Sequence, residues 1–162
     1  MRLPALVAAA FLASATSALA APAAVNVTVG PELQKKFDKT YGQREAETLT
    51  KDLRASVEKT LASKADYEGA RVDLVLTDVK PNRPTFKQLG DTPGLSFESF
   101  GIGGAAIEGQ VTAADGTVTP VAYKWYESDI RQTFASWTWA DAEWTFDRFA
   151  RKLARGEELA RR

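Results

Sequence analysis

The sequence predicts an α+β domain of order β-α-β-β-α, folded as a small mixed four-stranded sheet with two helices on one face. Three observations carry this. Two segments, 43–63 and the stretch after residue 138, place apolar residues at steps of three and four. Three other segments alternate apolar and polar residues at the period of a strand. An Ala114-Asp115-Gly116 turn lies between 102–112 and 117–126, the two segments of a hairpin.

The first strand is Val25-Asn26-Val27-Thr28-Val29, stopped by Gly30-Pro31. A connector runs to Tyr41-Gly42. In 43–63 the residues Ala46, Leu49, Leu53, Val57 and Leu61 form one apolar stripe. Arg44, Glu45, Lys51, Asp52, Glu58 and Lys59 occupy the opposite, charge-balanced face. The second strand covers 71–80, with Val72, Leu74 and Leu76 on one face and Asp73, Val75, Thr77 and Val79 on the other. A right-handed crossover makes these two strands parallel and lays the helices on one sheet face.

Pro81 opens a long connection, 82–101, that holds Phe86, Leu89, Leu95, Phe97 and Phe100. That is too apolar for a solvated linker, so it is expected to pack back on the domain, and loops of this length are often functional. In the hairpin, a three-residue loop with Gly116 left-handed pairs Ile107 with Tyr123, Gly109 with Val121, Val111 with Thr119 and Ala105 with Trp125. This register keeps the apolar side chains together, and a slip of one residue reverses every face. It also sets Glu108 diagonal to Lys124 on the other face. Residues 127–136 form a polar connection. Thr138-Trp139-Ala140-Asp141 is a candidate cap for the last helix, whose stripe is Ala142, Phe146, Phe149, Ala150 and Leu153. Arg148, Arg151, Lys152 and Arg155 suit its carboxyl end, Gly156 stops it, and 157–162 is expected to fray.

The first 20 residues have the order of a secretory signal peptide. Arg2 supplies the basic start, residues 5–13 the apolar run, and Ala18-Leu19-Ala20 the small-x-small cleavage site. The apolar run is shorter than the roughly 20 residues a permanent span needs. Cleavage after Ala20 is expected to leave 21–162 as a single exported domain in the periplasm, with no integral membrane span. Of the 21 basic residues only Arg2 is removed, so 20 remain against 21 acidic ones. This balance gives no basis for binding nucleic acid.

There is no cysteine and no histidine. Disulfides, thiol nucleophiles, thiolate metal sites, a Ser-His-Asp triad and the common zinc sites are therefore excluded. Catalysis would fall to carboxylates, lysine, tyrosine, serine or threonine. Gly101-Ile102-Gly103-Gly104-Ala105-Ala106 fits the loose dinucleotide pattern, but a strand follows it where a helix is required. It is read instead as a place where another backbone or ring comes close. Ser56-Val57-Glu58-Lys59 matches the serine–lysine pair of penicillin-recognising enzymes without their companion motifs. Asn26-Val27-Thr28 is a chance sequon under a leader of bacterial type. No calcium-loop spacing occurs, and no cofactor is expected.

Glu98, Glu108, Glu127, Asp129, Asp141 and Glu143 surround an aromatic stretch and could supply the carboxylate pair of a glycan hydrolase. The stretch itself contains Tyr123, Trp125, Tyr126, Phe134, Trp137, Trp139, Trp144 and Phe146. Trp125, Trp144 and Phe146 are assigned to the core. Trp137 and Trp139, together with Phe97 and Phe100, form the candidate binding surface.

The segment Gly101-Ile102-Gly103-Gly104-Ala105-Ala106-Ile107-Glu108-Gly109 running into Asp115-Gly116-Thr117, with the closing Trp144, Phe149-Ala150 and Leu153, resembles uncharacterised exported proteins of Gram-negative bacteria. The sheet-and-two-helix layout is similar to the amino-terminal domain of the Tol translocation protein and related envelope lipoproteins. Many such relatives carry a lipid-attachment cysteine; this chain has none, so an outer-membrane anchor does not carry over. The resemblance brings no catalytic residues. The apolar residues of the long connection, the surplus of tryptophan and the lack of histidine and cysteine lead to the expectation of a non-catalytic binding or envelope-assembly module whose partner is another envelope protein or a glycan. A carboxylate-dependent hydrolase of envelope glycans and a purely structural envelope protein are the alternatives.

Overall fold

The computed structural model describes residues 22, 24–133 and 136–159. The signal-peptide assignment lies outside these residues, as does Phe134. Strands β1 (Ala24–Val29), β2 (Arg71–Lys80), β3 (Gly104–Thr112) and β4 (Val118–Tyr126) form one sheet in the order β1-β2-β3-β4. β1 and β2 are parallel; β2–β3 and β3–β4 are antiparallel. Helices α2 (Gln43–Leu61) and α4 (Ala140–Ala154) pack on each other, α2 against β1 and α4 against β3 and β4. The α+β class and the mixed four-stranded sheet are as the sequence predicts.

The helices form where their stripes require. Leu49, Leu53, Val57 and Leu61 of α2 are fully buried, as are Ala142, Phe149 and Ala150 of α4. Full burial of each large side chain is worth about 1.5–3 kcal/mol. Gly156, at φ 64°, ends α4, and Glu157 N donates back to the Lys152 carbonyl in a left-handed C-cap. The hairpin takes the expected register: Ile107 pairs with Tyr123, Gly109 with Val121, Val111 with Thr119 and Ala105 with Trp125. Gly116 turns it at φ 86°.

Two further helices appear. The connector before Gly42 is helical: α1 (Pro31–Lys36) runs into a π-helical turn, Phe37–Tyr41. Pro31 sits in its first turn, where the missing N–H costs nothing. Leu33 and Phe37, four residues apart, are fully buried. Helix α3 (Phe86–Asp91) lies inside the long connection. Thr85 Oγ1 accepts from Gln88 N, and Gln88 Oε1 accepts from Thr85 N, a complete capping box.

The face assigned to Val79 is reversed. The β2–β3 ladder shifts between Leu76 and Asp78, so Thr77 is the extra residue of a β-bulge. The alternation flips there. Val79 pairs with Ala105 and is buried in the core, while Asp78 turns to the outer face.

Two other expectations fail for physical reasons. Thr138-Trp139-Ala140-Asp141 provides no side-chain cap for α4, because the Asp141 carboxylate is taken up by distant partners. The tail is also not frayed at 157–159. Ala122 N donates to the Leu159 carbonyl at 2.9 Å, and Leu159 is buried. This contact covers part of the free edge of β4, where Pro120 already removes one donor.

Candidate functional site

A buried polar cluster organises one end of the sheet. Asn82, just beyond β2, and Asp141, in the first turn of α4, are both almost fully inaccessible. Asn82 Nδ2 donates to Asp141 Oδ2 at 2.6 Å, and Asp141 N donates to Asn82 Oδ1 at 2.8 Å. The same Oδ2 accepts from Gly103 N at 2.9 Å and from Thr133 Oγ1 at 3.0 Å. Asn82 Nδ2 also reaches the Gly101 carbonyl and Thr133 Oγ1. Backbone bonds complete the closure: Asn82 N donates to the Thr138 carbonyl and Gly101 N to the Asn82 carbonyl. One cluster thus ties both ends of the 82–101 connection to the 127–139 connection and to α4. Hydrogen bonds from three donors offset the cost of burying the Asp141 carboxylate.

The glycines of the 101–106 segment follow from this geometry. A Cβ on Gly103 would lie 2.6 Å from Asn82 Oδ1. Gly104 has φ 146°, and a Cβ there would overlap the Trp125 carbonyl and Tyr126. Strand β3 follows directly, so the dinucleotide reading is excluded and close approach of another backbone is confirmed. Ser56 Oγ donates to Asp147 Oδ1 at 2.7 Å across the α2–α4 seam, which gives it a structural role in place of the serine–lysine one.

On this anchored base the 82–101 connection turns its aromatic residues outward. Leu89 and Leu95 are half-buried, but Phe86, Phe97 and Phe100 are 80%, 63% and 55% exposed. Phe86 and Phe97 meet edge to face, with ring centroids 6.0 Å apart. An Arg83 guanidinium N–H holds the Phe97 carbonyl at 2.7 Å, and Lys87 bridges to Asp91 at 2.7 Å. Phe100 borders a shallow pocket of about 190 Å³ with Pro81, Pro84, Gln88 and Leu95.

The candidate tryptophans separate. Trp137 is 53% exposed and donates from Nε1 to Glu143 Oε1 at 2.9 Å. Trp139 is buried: its ring meets Tyr41 edge to face at 5.6 Å, and its Nε1 donates to Glu45 Oε2 at 2.6 Å. Trp139 therefore joins α4 to α2 and the π-helical turn, and it drops out of the surface. Trp144 moves the other way. It is 41% exposed instead of core, and Arg148 lies against both it and half-buried Trp125, 5.4 and 4.8 Å from the ring centroids. Phe146 is buried as expected. Phe86, expected only to pack, is the most exposed of the large apolar side chains among the described residues.

The six carboxylates are dispersed. Asp141 is locked in the buried cluster. Glu127 accepts from Ser128 N and Asp129 N, and Asp129 pairs with Arg131. Glu108 lies midway along β3, paired with Ala122, and Glu98 lies in the 82–101 connection. Glu143 has a proton affinity raised above the ordinary range. Burial is the main cause, with Asp52 and Asp147 adding repulsion against the opposing Trp137 hydrogen bond. Burial also raises Asp52. Outside this seam, the Asp78 carboxylate joins Lys36 Nζ and the Tyr126 hydroxyl, each at 2.7 Å. That contact holds the Lys36 ammonium more firmly protonated, while burial and Asp78 push Tyr126 strongly upward. Neither group is poised as a base near neutral pH. Among the described residues no group of acidic side chains is arranged to hold a metal ion, and no helix is long and apolar enough to cross a membrane.

No family model matches the chain, and no curated protein matches it.

Proposed function

We propose that this chain is an exported, periplasmic binding or assembly module without catalysis of its own, and that its partner is another envelope protein. The observation that carries this is the display of Phe86, Phe97 and Phe100 on a connection fixed at both ends by the Asn82–Asp141 cluster. Exposed aromatics on an ordered base lose little conformational freedom on docking, which is the property of interface anchors. Absence of histidine and cysteine, and a lysine and tyrosine held in their ordinary protonated forms, support a non-catalytic reading. The resemblance to the amino-terminal Tol domain points to the same envelope setting.

The test is site-specific photo-crosslinking in the intact envelope from positions 90 and 98, exposed neighbours of the three phenylalanines on the same connection. One partner protein captured from these positions and lost in a Phe86→Ser/Phe97→Ser/Phe100→Ser variant of unchanged Tm is expected. Unchanged capture by that variant would remove the surface. Fractionation and the mass of the mature amino terminus test export: a protein starting at Ala21 in the periplasm is expected.

A second reading is favoured by the Glu143 seam. A carboxyl whose pKa burial raises, beside Asp52, Asp147 and an exposed Trp137, has the ingredients of carboxylate catalysis on a glycan. Incubation with cell-wall fragments and mass spectrometry decides it, since new products lost in Glu143→Gln would establish a hydrolase.

A further inference from the structure

The end of the sheet opposite the aromatic surface holds an open cleft of about 960 Å³, in the size range of small-molecule sites. β2 and β3 pair from Lys80–Gly104 at the aromatic end to Arg71–Thr112 at this one. The floor of the cleft is the end of the core: Val111, Val121, Leu153 and Leu159, all buried. Its walls are fixed. The Tyr67 hydroxyl donates to the Leu153 carbonyl at 2.6 Å, and the tail is held by the bond from Ala122 N to the Leu159 carbonyl.

The charge around this apolar floor is one-sided. Asp66, Glu108, Glu157 and Glu158 line the cleft, against Arg155 as the single basic residue among its described lining. Arg155 is engaged by Glu157, which also takes Lys152. Asp66 and Glu158 are exposed and enter no ion pair with a described residue. An apolar floor bordered by the exposed carboxylates of Asp66 and Glu158 complements an apolar body carrying a positive head. An extended peptide is disfavoured there, because the β4 edge at Ala122 is already occupied by the chain's own tail.

We propose that this cleft binds a small amphiphilic organic cation, with its apolar body against Val111, Val121 and Leu153 and its ammonium group at Asp66 and Glu158.

The test is an NMR titration of the mature protein with octylammonium, octanol and octanoate, read at the methyl groups of Val111, Val121 and Leu153. Octylammonium is expected to shift these signals saturably and to bind more tightly than octanol by about threefold or more, the scale of an exposed ion pair. Octanoate is expected to bind most weakly. In an Asp66→Asn/Glu158→Gln variant, octylammonium should fall to the level of octanol, whose own binding stays unchanged. Ala154→Trp, which fills the cleft from α4, should abolish both, with Tm showing that the fold is retained. Equal binding of the three probes, or binding that survives Ala154→Trp in the folded protein, would overturn the proposal. So would binding that appears only when the chain is ended at Leu159, because the occupant would then be the chain's own Ala160-Arg161-Arg162.

Discussion

Asn82 and Asp141, 59 positions apart in sequence, hold each other by two reciprocal hydrogen bonds of 2.6 and 2.8 Å in a site almost closed to water. The pair sits where β2 ends and α4 begins, so the position of the exposed phenylalanines depends on it. Removing one member leaves the other buried with an unmet hydrogen-bonding group, and such a loss costs about 1–3 kcal/mol, more for a charged group. Asn82→Ala is therefore expected to lower stability by about 2 kcal/mol. Asp141→Asn, which turns an amide toward the donors of Asn82, Gly103 or Thr133, should cost at least as much. Urea unfolding gives the magnitude. Hydrogen exchange should show faster opening across 82–101 than across α2, and equal acceleration everywhere would mean that the cluster is not a local fastener.

Gly109 and Gly90 provide a contrast of the same substitution. A Cβ on Gly109 would overlap the Asp73 carbonyl, with Leu74 Cα at 2.9 Å, and both belong to the neighbouring strand backbone. Gly109→Ala must push β2 and β3 apart at the centre of the sheet, and overpacking of this kind costs typically about 1–3 kcal/mol. Gly90 lies in α3 with nothing within 4 Å of an added Cβ. Gly90→Ala should stabilise by up to about 1 kcal/mol through helix propensity and a less flexible unfolded chain. The shift of the thermal midpoint, down for one and level or up for the other, checks both.

These contrasts also mark where sequence reasoning reaches. The hairpin register is legible because Ile107, Val111, Val121 and Tyr123 must share a face and Asp115-Gly116 fixes the loop. The reversal at Val79 is hidden, because nothing local announces that Thr77 leaves the ladder. Helix α1 could have been read from Pro31 followed by Leu33 and Phe37 at helical spacing. The pairing of Asn82 with Asp141 could not, since two polar residues carry no periodicity and meet only once the chain has folded. The same holds for the tryptophans. Trp137, Trp139 and Trp144 have similar surroundings in sequence, and only the position of Tyr41 and Glu45 from another element decides that Trp139 is the one enclosed.

Glu143 gives a pH prediction. Burial, with Asp52 and Asp147 nearby, raises its folded-state pKa above the reference 4.5. The native state then holds more protons than the unfolded state between 4.5 and that raised value, so this group's contribution to stability falls as pH rises through the window. Above it, the charged carboxylate is a net cost. Glu143→Gln keeps an oxygen to accept from Trp137 and removes the charge. The variant is expected to be more stable than the parent at pH 7, by less than about 1 kcal/mol because the group is only half-buried and water screens it. The advantage should vanish below pH 4.5. Asp73, Asp129 and Glu157 have pKa values lowered by hydrogen bonds and ion pairs, and they act in the opposite sense in both proteins. The informative quantity is thus the difference between variant and parent in urea midpoint at pH 7 and pH 4. A variant less stable at pH 7 would contradict the assignment.

Trp137 and Trp139 provide the sharpest separation of folding from binding. Trp139 is buried, meets Tyr41 edge to face and donates to Glu45, so its removal opens a cavity between α4, α2 and the π-helical turn and strands a carboxylate that had a partner. Trp139→Ala should cost about 3–5 kcal/mol, the range for large buried aromatics. Any loss of partner capture it causes would follow from unfolding. Trp137 rests on the surface with one hydrogen bond to Glu143, and Trp137→Ala should change stability by less than about 1 kcal/mol. Its ring does not stack on Phe86 or Phe97, which pair with each other. If the partner's footprint extends from the 82–101 connection to the start of α4, Trp137→Ala weakens capture at full stability. If the footprint is confined to the phenylalanines, capture is unchanged. Tryptophan fluorescence during urea unfolding, paired with crosslinking yield from position 98 in each variant, distinguishes these outcomes, and a destabilised Trp137→Ala beside a stable Trp139→Ala would invert the assignment.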